Sequence, residues 1–148
     1  MNLTEFLVES NMIEGIVGVP QQEVDVARVF LDRPRVEIDD LCNYVAVCAP
    51  HAQLRCFPNL NVRVGFHIAP PGGEGIPIAL QQLLADISGN TTDPWSGHVR
   101  YEMLHPFTDG NGRSGRLLWL WHMRNAGKDP FAISFLHRFY YQTLDHQR

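Results

Sequence analysis

With 148 residues, 45% of them apolar, the chain is sized for one domain with a hydrophobic core and leaves little room for a second. A formal net charge of -4 and a pI near 5.9 argue against a nucleic-acid partner held by general phosphate attraction, which needs a basic face, so any phosphate bound here must be gripped locally. The opening Met1 to Glu14 carries no basic leader region, and nowhere do about 18 uncharged apolar residues stand together, so no membrane partner and a cytoplasmic location are expected.

The first clear helical patterns follow Pro20. Val24, Val26, Ala27, Phe30 and Leu31 mark a core-facing helix over Gln21 to Leu31, and Ile38, Leu41, Val45 and Cys48 mark another within Glu37 to Cys48. Cys42, Cys48 and Cys56 are odd in number and match no zinc-site spacing, so they read as reduced thiols. Leu60, Val62, Val64, Phe66 and Ile68 then alternate with Asn61, Arg63, Gly65 and His67, which predicts an extended hairpin or edge strand closing at Pro70 to Gly73, with Arg63 and His67 on its polar face. Ile76, Leu80, Leu83, Leu84 and Ile87 return to helical spacing, and Gly89 supplies a stop. Asp93 and Pro94 suit the cap and first turn of a helix running to Leu104, because His105 precedes a proline and is pushed off helical dihedrals. The stretch from Asn111 to Ala126 is apolar almost all round, which predicts a buried helix with Trp119 and Trp121 in the core; Gly127 suits a left-handed cap. A last helix is expected over Ala132 to Asp145. Together these give one all-α domain over residues 1–148, a compact helical bundle with one short β-hairpin flap.

The segment His105-Pro106-Phe107-Thr108-Asp109-Gly110-Asn111-Gly112-Arg113-Ser114-Gly115-Arg116 concentrates a titratable base, a carboxylate, a small-residue turn and two arginines. Gly110 and Gly112 let backbone approach a ligand closely, and the amides opening the buried helix carry the positive end of its dipole, which suits an anion. Arg113 and Arg116, three residues apart, project to one side and can clamp phosphate oxygens. A cation at a helix start opposes the dipole, so an anion should offset it. Asp109 is placed for magnesium, which takes few protein carboxylates, and His105 can accept a proton near neutral pH. His98 reads as a structural histidine on the preceding helix.

This segment resembles the signature of the Fic-domain family, His-Pro-Phe-x-Asp/Glu-Gly-Asn-Gly-Arg-x-x-Arg, with every specified position present. Leu60 to Pro71 is similar to the family's flap, His98 to Glu102 resembles the helix before the signature, and Tyr140-Tyr141 resembles the helix closing the adenine pocket. The resemblance implies a protein adenylyltransferase using ATP and Mg2+, with a Ser, Thr or Tyr hydroxyl of a target protein as acceptor. His105 would deprotonate that hydroxyl, Asp109 would bind magnesium, Gly110, Asn111 and Gly112 would form the anion hole, and Arg113 and Arg116 would hold the outer phosphates. Phe107 would anchor the loop, Tyr141 would touch adenine, and Val62, Arg63 and Val64 of the flap would pair with an extended target segment.

Ser10-Asn11-Met12-Ile13-Glu14-Gly15 also resembles the family's inhibitory motif, Ser/Thr-x-x-x-Glu-Gly/Asn, on an N-terminal helix within residues 1–18. That resemblance implies that Ser10 and Glu14 belong to a brake in which Glu14 pairs with Arg116 and takes the γ-phosphate's place. Other uses of such a site are γ-phosphate transfer, removal of AMP with Glu14 orienting a water, and a non-catalytic toxin-antitoxin-type binding module. Family members use dimer or tetramer contacts, so the resemblance adds self-association to the partners open to this chain.

Overall fold

The computed structural model describes residues 2–130; the expected last helix, with Tyr141, lies outside the described residues. The described chain runs α1 (Leu3–Ile13), α2 (Gln21–Leu31), α3 (Ile38–Cys48), β1 (Arg63–Val64), β2 (His67–Ile68), α4 (Gly75–Ser88), α5 (Pro94–Leu104) and α6 (Asn111–Asn125). Helices dominate and the strands form a single antiparallel pair, so the fold is all-α with a hairpin flap, as the patterning predicts.

Local chemistry sets the helix ends. The Asn2 side chain accepts the Glu5 amide at 2.9 Å to start α1, and Glu37 with Asp40 forms a capping box at α3. Asp93 accepts the Ser96 amide at 3.0 Å to start α5, with Pro94 in its first turn. Gly127 has φ 72°, the left-handed value expected after α6. At the end of α4 the left-handed residue is Asn90 (φ 55°) rather than Gly89, which keeps a right-handed φ of -88°. Asparagine tolerates that region well among non-glycine residues, so the helix ends at Ser88 with Gly89 as its C-cap, as expected, and the left-handed turn falls on the next residue.

Helix α6 is the central post, in contact with α1, α2, α3, α4 and α5. Leu117, Leu118, Trp119, Leu120 and Trp121 are buried all round it, as a helix apolar on every face requires. Trp119 stacks on Phe6 of α1 with ring centroids 6.3 Å apart, and the Trp121 indole donates to the Arg33 carbonyl at 2.8 Å. Helix α1 is thereby pinned to the surface of α6, one turn beyond the signature segment.

The flap corrects one expectation. Its register pairs Arg63 with Ile68 and Val64 with His67, around a tight turn at Gly65 and Phe66. Directly paired residues share a face, so Arg63 and His67 lie on opposite faces, whereas a continuous strand would have put them on one. His67 turns inward, its Nε2 2.9 Å from the Met103 carbonyl, while Arg63 stays exposed. The turn reverses the alternation that the sequence carries through it.

Candidate active site

Between α5 and α6 the chain forms a braced loop. The Asn111 side chain accepts the Phe107 amide at 2.9 Å and donates to the Phe107 carbonyl at 2.8 Å, while the Phe107 ring is buried in the core. The Asn111 side chain is therefore a loop brace, and what it can offer a ligand is its backbone amide. Ser114 adds a second brace, donating to the Gly110 carbonyl at 2.7 Å and meeting the Tyr101 hydroxyl at 2.7 Å. Burial holds the Tyr101 hydroxyl well above its usual pKa, so it stays protonated in this network. Gly110 has φ 79°, and a Cβ there would meet Ala49 at 3.1 Å; its lack of a side chain serves the turn and the packing against α3. The start of α6 points its first amides, from Asn111, Gly112 and Arg113, out of the helix.

A recess of about 150 Å³ opens at this helix start, lined among others by Glu14, Val64, His105, Asp109, Gly112 and Arg113. His105 caps α5 with a left-handed backbone (φ 51°), unusual for a non-glycine residue. Its amide donates to the Tyr101 carbonyl at 2.9 Å, and its Nδ1 lies 3.1 Å from the Glu102 carbonyl. A carbonyl can only accept, so Nδ1 carries the proton and, in the neutral ring, Nε2 carries the lone pair. Asp109 sits at the rim with its side chain 73% exposed; its Oδ1 accepts the Gly110 amide at 2.7 Å and lies 3.7 Å from the Arg113 guanidinium. Among the described residues no three or more His, Cys, Asp or Glu side chains gather into a cation cage. One exposed carboxylate beside a phosphate-suited recess fits a hard cation that takes its remaining ligands from water and phosphate oxygens.

The two arginines part company. Arg113 turns to the end of α3, where its Nη1 donates to the Cys48 carbonyl. Arg116 is wholly buried and reaches α1: its Nε donates to Ser10 Oγ at 2.7 Å, and its Nη2 to the Ser10 carbonyl at 3.0 Å and to Glu14 Oε1 at 2.8 Å. The expected shared side of the helix is not realised, because each guanidinium is drawn to a different neighbour. The offsetting anions that the dipole argument requires are Asp109 for Arg113 and Glu14 for Arg116. Glu14 also closes on the helix start: a Cβ on Gly112 would come within 2.5 Å of Glu14 Oε1. The recess thus gathers His105, Asp109, Gly112, Arg113 and Glu14, with Val64 of the flap at its edge, whereas Arg116 stands behind Glu14.

Several supporting residues have no local signal in the sequence. Gly115 leaves room for the buried Glu102 carboxylate and the Tyr101 ring, and its carbonyl lies 3.1 Å from Nδ1 of the buried His98. Glu23 of α2 is buried and accepts from Asn11 of α1 and from Tyr44 of α3, each at 3.3 Å, and burial raises its pKa. Cys48 carries a thiol pushed up to about 12 by burial, against the pull of Arg113. The cysteines are free thiols.

The all-helical domain thus brings the start of α6, His105 and Asp109 into one recess beside the flap. Over residues 61–123 the chain matches the Fic/DOC family. It is similar to proteins named protein adenylyltransferase Fic: 36% identical over 84 residues to that of Drosophila mojavensis, covering 52% of this chain and 16% of that protein. The likeness to the Culex quinquefasciatus protein is 36% over 100 residues (60% of this chain, 19% of the other), and to that of Nematostella vectensis 45% over 49 residues (32% and 12%). The chain therefore spans less than a fifth of the length of these relatives. No described helix is long and apolar enough to cross a membrane.

Proposed function

We propose that this chain is a protein adenylyltransferase that moves the AMP part of ATP onto a Ser, Thr or Tyr hydroxyl of a target protein. The observation that carries this reading is the shared recess, which His105 lines together with Asn111 and Gly112 at the start of α6. The relatives' printed name supports it.

In the reaction, the hydroxyl oxygen attacks the α-phosphorus, the bond from that phosphorus to the oxygen bridging to the β-phosphate breaks, and pyrophosphate leaves. The hydroxyl proton passes to Nε2 of His105. Gly110, Asn111 and Gly112 form the anion hole, where the amides of Asn111 and Gly112 and the α6 dipole take up the charge of the α- and β-phosphates while the Gly110 amide stays on Asp109 Oδ1. Arg113 and Arg116 hold the outer phosphate oxygens, and Val62, Arg63 and Val64 align an extended target segment. Asp109 would hold Mg2+, which when bound would spread the phosphate charge.

Ser10 and Glu14 form a brake on this site. Glu14 occupies the ground in front of Gly112 and engages Arg116, so a triphosphate would have to meet the carboxylate where its γ-phosphate belongs. The resting enzyme is then slow, and Glu14→Gly raises AMP transfer. Incubating that variant with labelled ATP and a cell extract, followed by mass spectrometry of labelled proteins, tests both ideas. An AMP increment supports the reading; a phosphate increment, or no transfer, overturns it. Because Glu14 lines the same recess as His105, a second reaction, removal of AMP by a water held at Glu14, is checked by adding an AMP-bearing protein to the unmodified chain.

A further inference from the structure

We propose that Arg55 is a positioning residue that fixes the spacing between the flap and the His105 imidazole. The inference rests on the reading of His105 as the base. Arg55 lies in the loop after α3 and is wholly buried. Its guanidinium donates to four main-chain carbonyls: Nε to His105 at 2.6 Å, Nη2 to Leu104 at 2.8 Å, and Nη1 to Leu60 at 3.1 Å and Pro70 at 2.8 Å.

These four acceptors fall into two pairs with different jobs. Leu60 and Pro70 bracket the hairpin, one before β1 and one after β2, so they are the two feet of the flap. Leu104 and His105 are consecutive carbonyls at the end of α5, where helix geometry leaves carbonyls without partners. With the His105 amide on Tyr101 and its carbonyl on Arg55, the left-handed residue is held on both sides of its Cα. Arg55 is itself fixed by its backbone. Its amide donates to the Pro106 carbonyl at 2.8 Å and its carbonyl accepts the Gly73 amide at 3.0 Å, while the neighbouring Leu54 bridges to Phe107. A rigid planar fork therefore joins the element that would seat the target to the residue that would take its proton. Lysine cannot copy this, because its single ammonium has three donors and no plane.

The test places Arg55→Lys in the Glu14→Gly chain and reads three quantities: kcat and KM for ATP, the imidazole 15N shifts of His105, and hydrogen exchange of the flap amides. We expect kcat to fall about 100-fold, the scale of a misplacement near 1 Å, with KM for ATP unchanged because the α6 helix start is untouched. We also expect the His105 ring to lose its single Nδ1-protonated tautomer and flap exchange to quicken. Full kcat with unaltered ring shifts overturns the proposal. Should the lysine variant not fold, Gly72→Ala serves instead: its Cβ would come 2.5 Å from the Leu60 and Phe57 carbonyls and pry one flap foot off Arg55, with the same expected and overturning results. If the Glu14→Gly parent transfers nothing, the functional reading fails, yet the ring shifts and flap exchange still decide the role of Arg55.

Discussion

Replacing Glu14 with glutamine isolates the charge of the carboxylate that faces α6. The Glu14–Arg116 contact is 2.8 Å, with the arginine side chain 0% and the glutamate side chain 27% exposed. A hydrogen bond to a charged partner contributes about 1.5–3 kcal/mol. The low end applies, because Arg116 keeps Ser10 Oγ at 2.7 Å and the Ser10 carbonyl at 3.0 Å. A loss of about 1.5 kcal/mol lowers the Tm of a domain this size by about 3–6 °C. ATP with magnesium reverses the order. Removing a negative charge from the γ-phosphate's place tightens ATP by about 2–3 kcal/mol, the upper part of the usual coupling range, or about 30–150-fold, which exceeds that loss. At a ligand concentration near 100 times its Kd, binding adds about 2.7 kcal/mol to stability. The assay is a pair of thermal melts: without nucleotide Glu14→Gln melts below the parent chain, and with saturating ATP and magnesium it melts above it. Curves that keep the same order in both conditions refute the idea that Glu14 competes with the triphosphate.

Three further outcomes follow from the same geometry. His105→Ala in the Glu14→Gly chain abolishes covalent transfer while calorimetric ATP binding persists, since the amides of α6 do not depend on the ring. Glu23→Gln raises the urea midpoint at pH 7: burial raises the Glu23 pKa above the ordinary 4.5, so the ionised form weakens the fold as pH climbs through the raised value. The gain disappears below about pH 4.5, where the carboxyl is protonated in both states; an equal gain at pH 4 contradicts this account. Cys48, with its thiol pushed up to about 12, resists iodoacetamide at pH 8 until urea unfolds the chain, as peptide mapping reads out.

The helices were legible because burial imposes a 3.6-residue period wherever one face meets the core, as at Val24, Ala27 and Phe30 of α2. The boundaries at Asp93, His105 and Gly127 were legible because capping and left-handed dihedrals are local demands. Pairwise geometry across long loops was not. Arg113 and Arg116 stand one turn apart, but the Cys48 carbonyl is 65 residues from the first and Glu14 is 102 from the second. The pairing of Glu14 with Arg116 came from the family resemblance and not from any periodicity. Arg55 carried no signal, because its four acceptors lie 5 to 50 residues away and none is a side chain. Asn111 looked like part of a ligand turn, while its side chain is spent on the Phe107 backbone.

On the proposed reading, the same long-range bonds let a short helix govern the recess. Helix α1 has eleven residues, too few to be stable alone, and besides the buried Leu7 its hold on the body includes three separate grips. Phe6 stacks on Trp119, Ser10 and Glu14 take Arg116, and Asn11 donates to Glu23 at 3.3 Å and to the Gly18 carbonyl at 2.9 Å. Only the Glu14 contact lies in the recess, so a triphosphate can displace that carboxylate while the aromatic stack keeps the helix docked. On the proposed reading the brake is a side-chain exchange at one guanidinium and not an unfolding of α1, so loss of the Glu14 charge shifts nucleotide affinity and nucleotide-free stability in opposite directions.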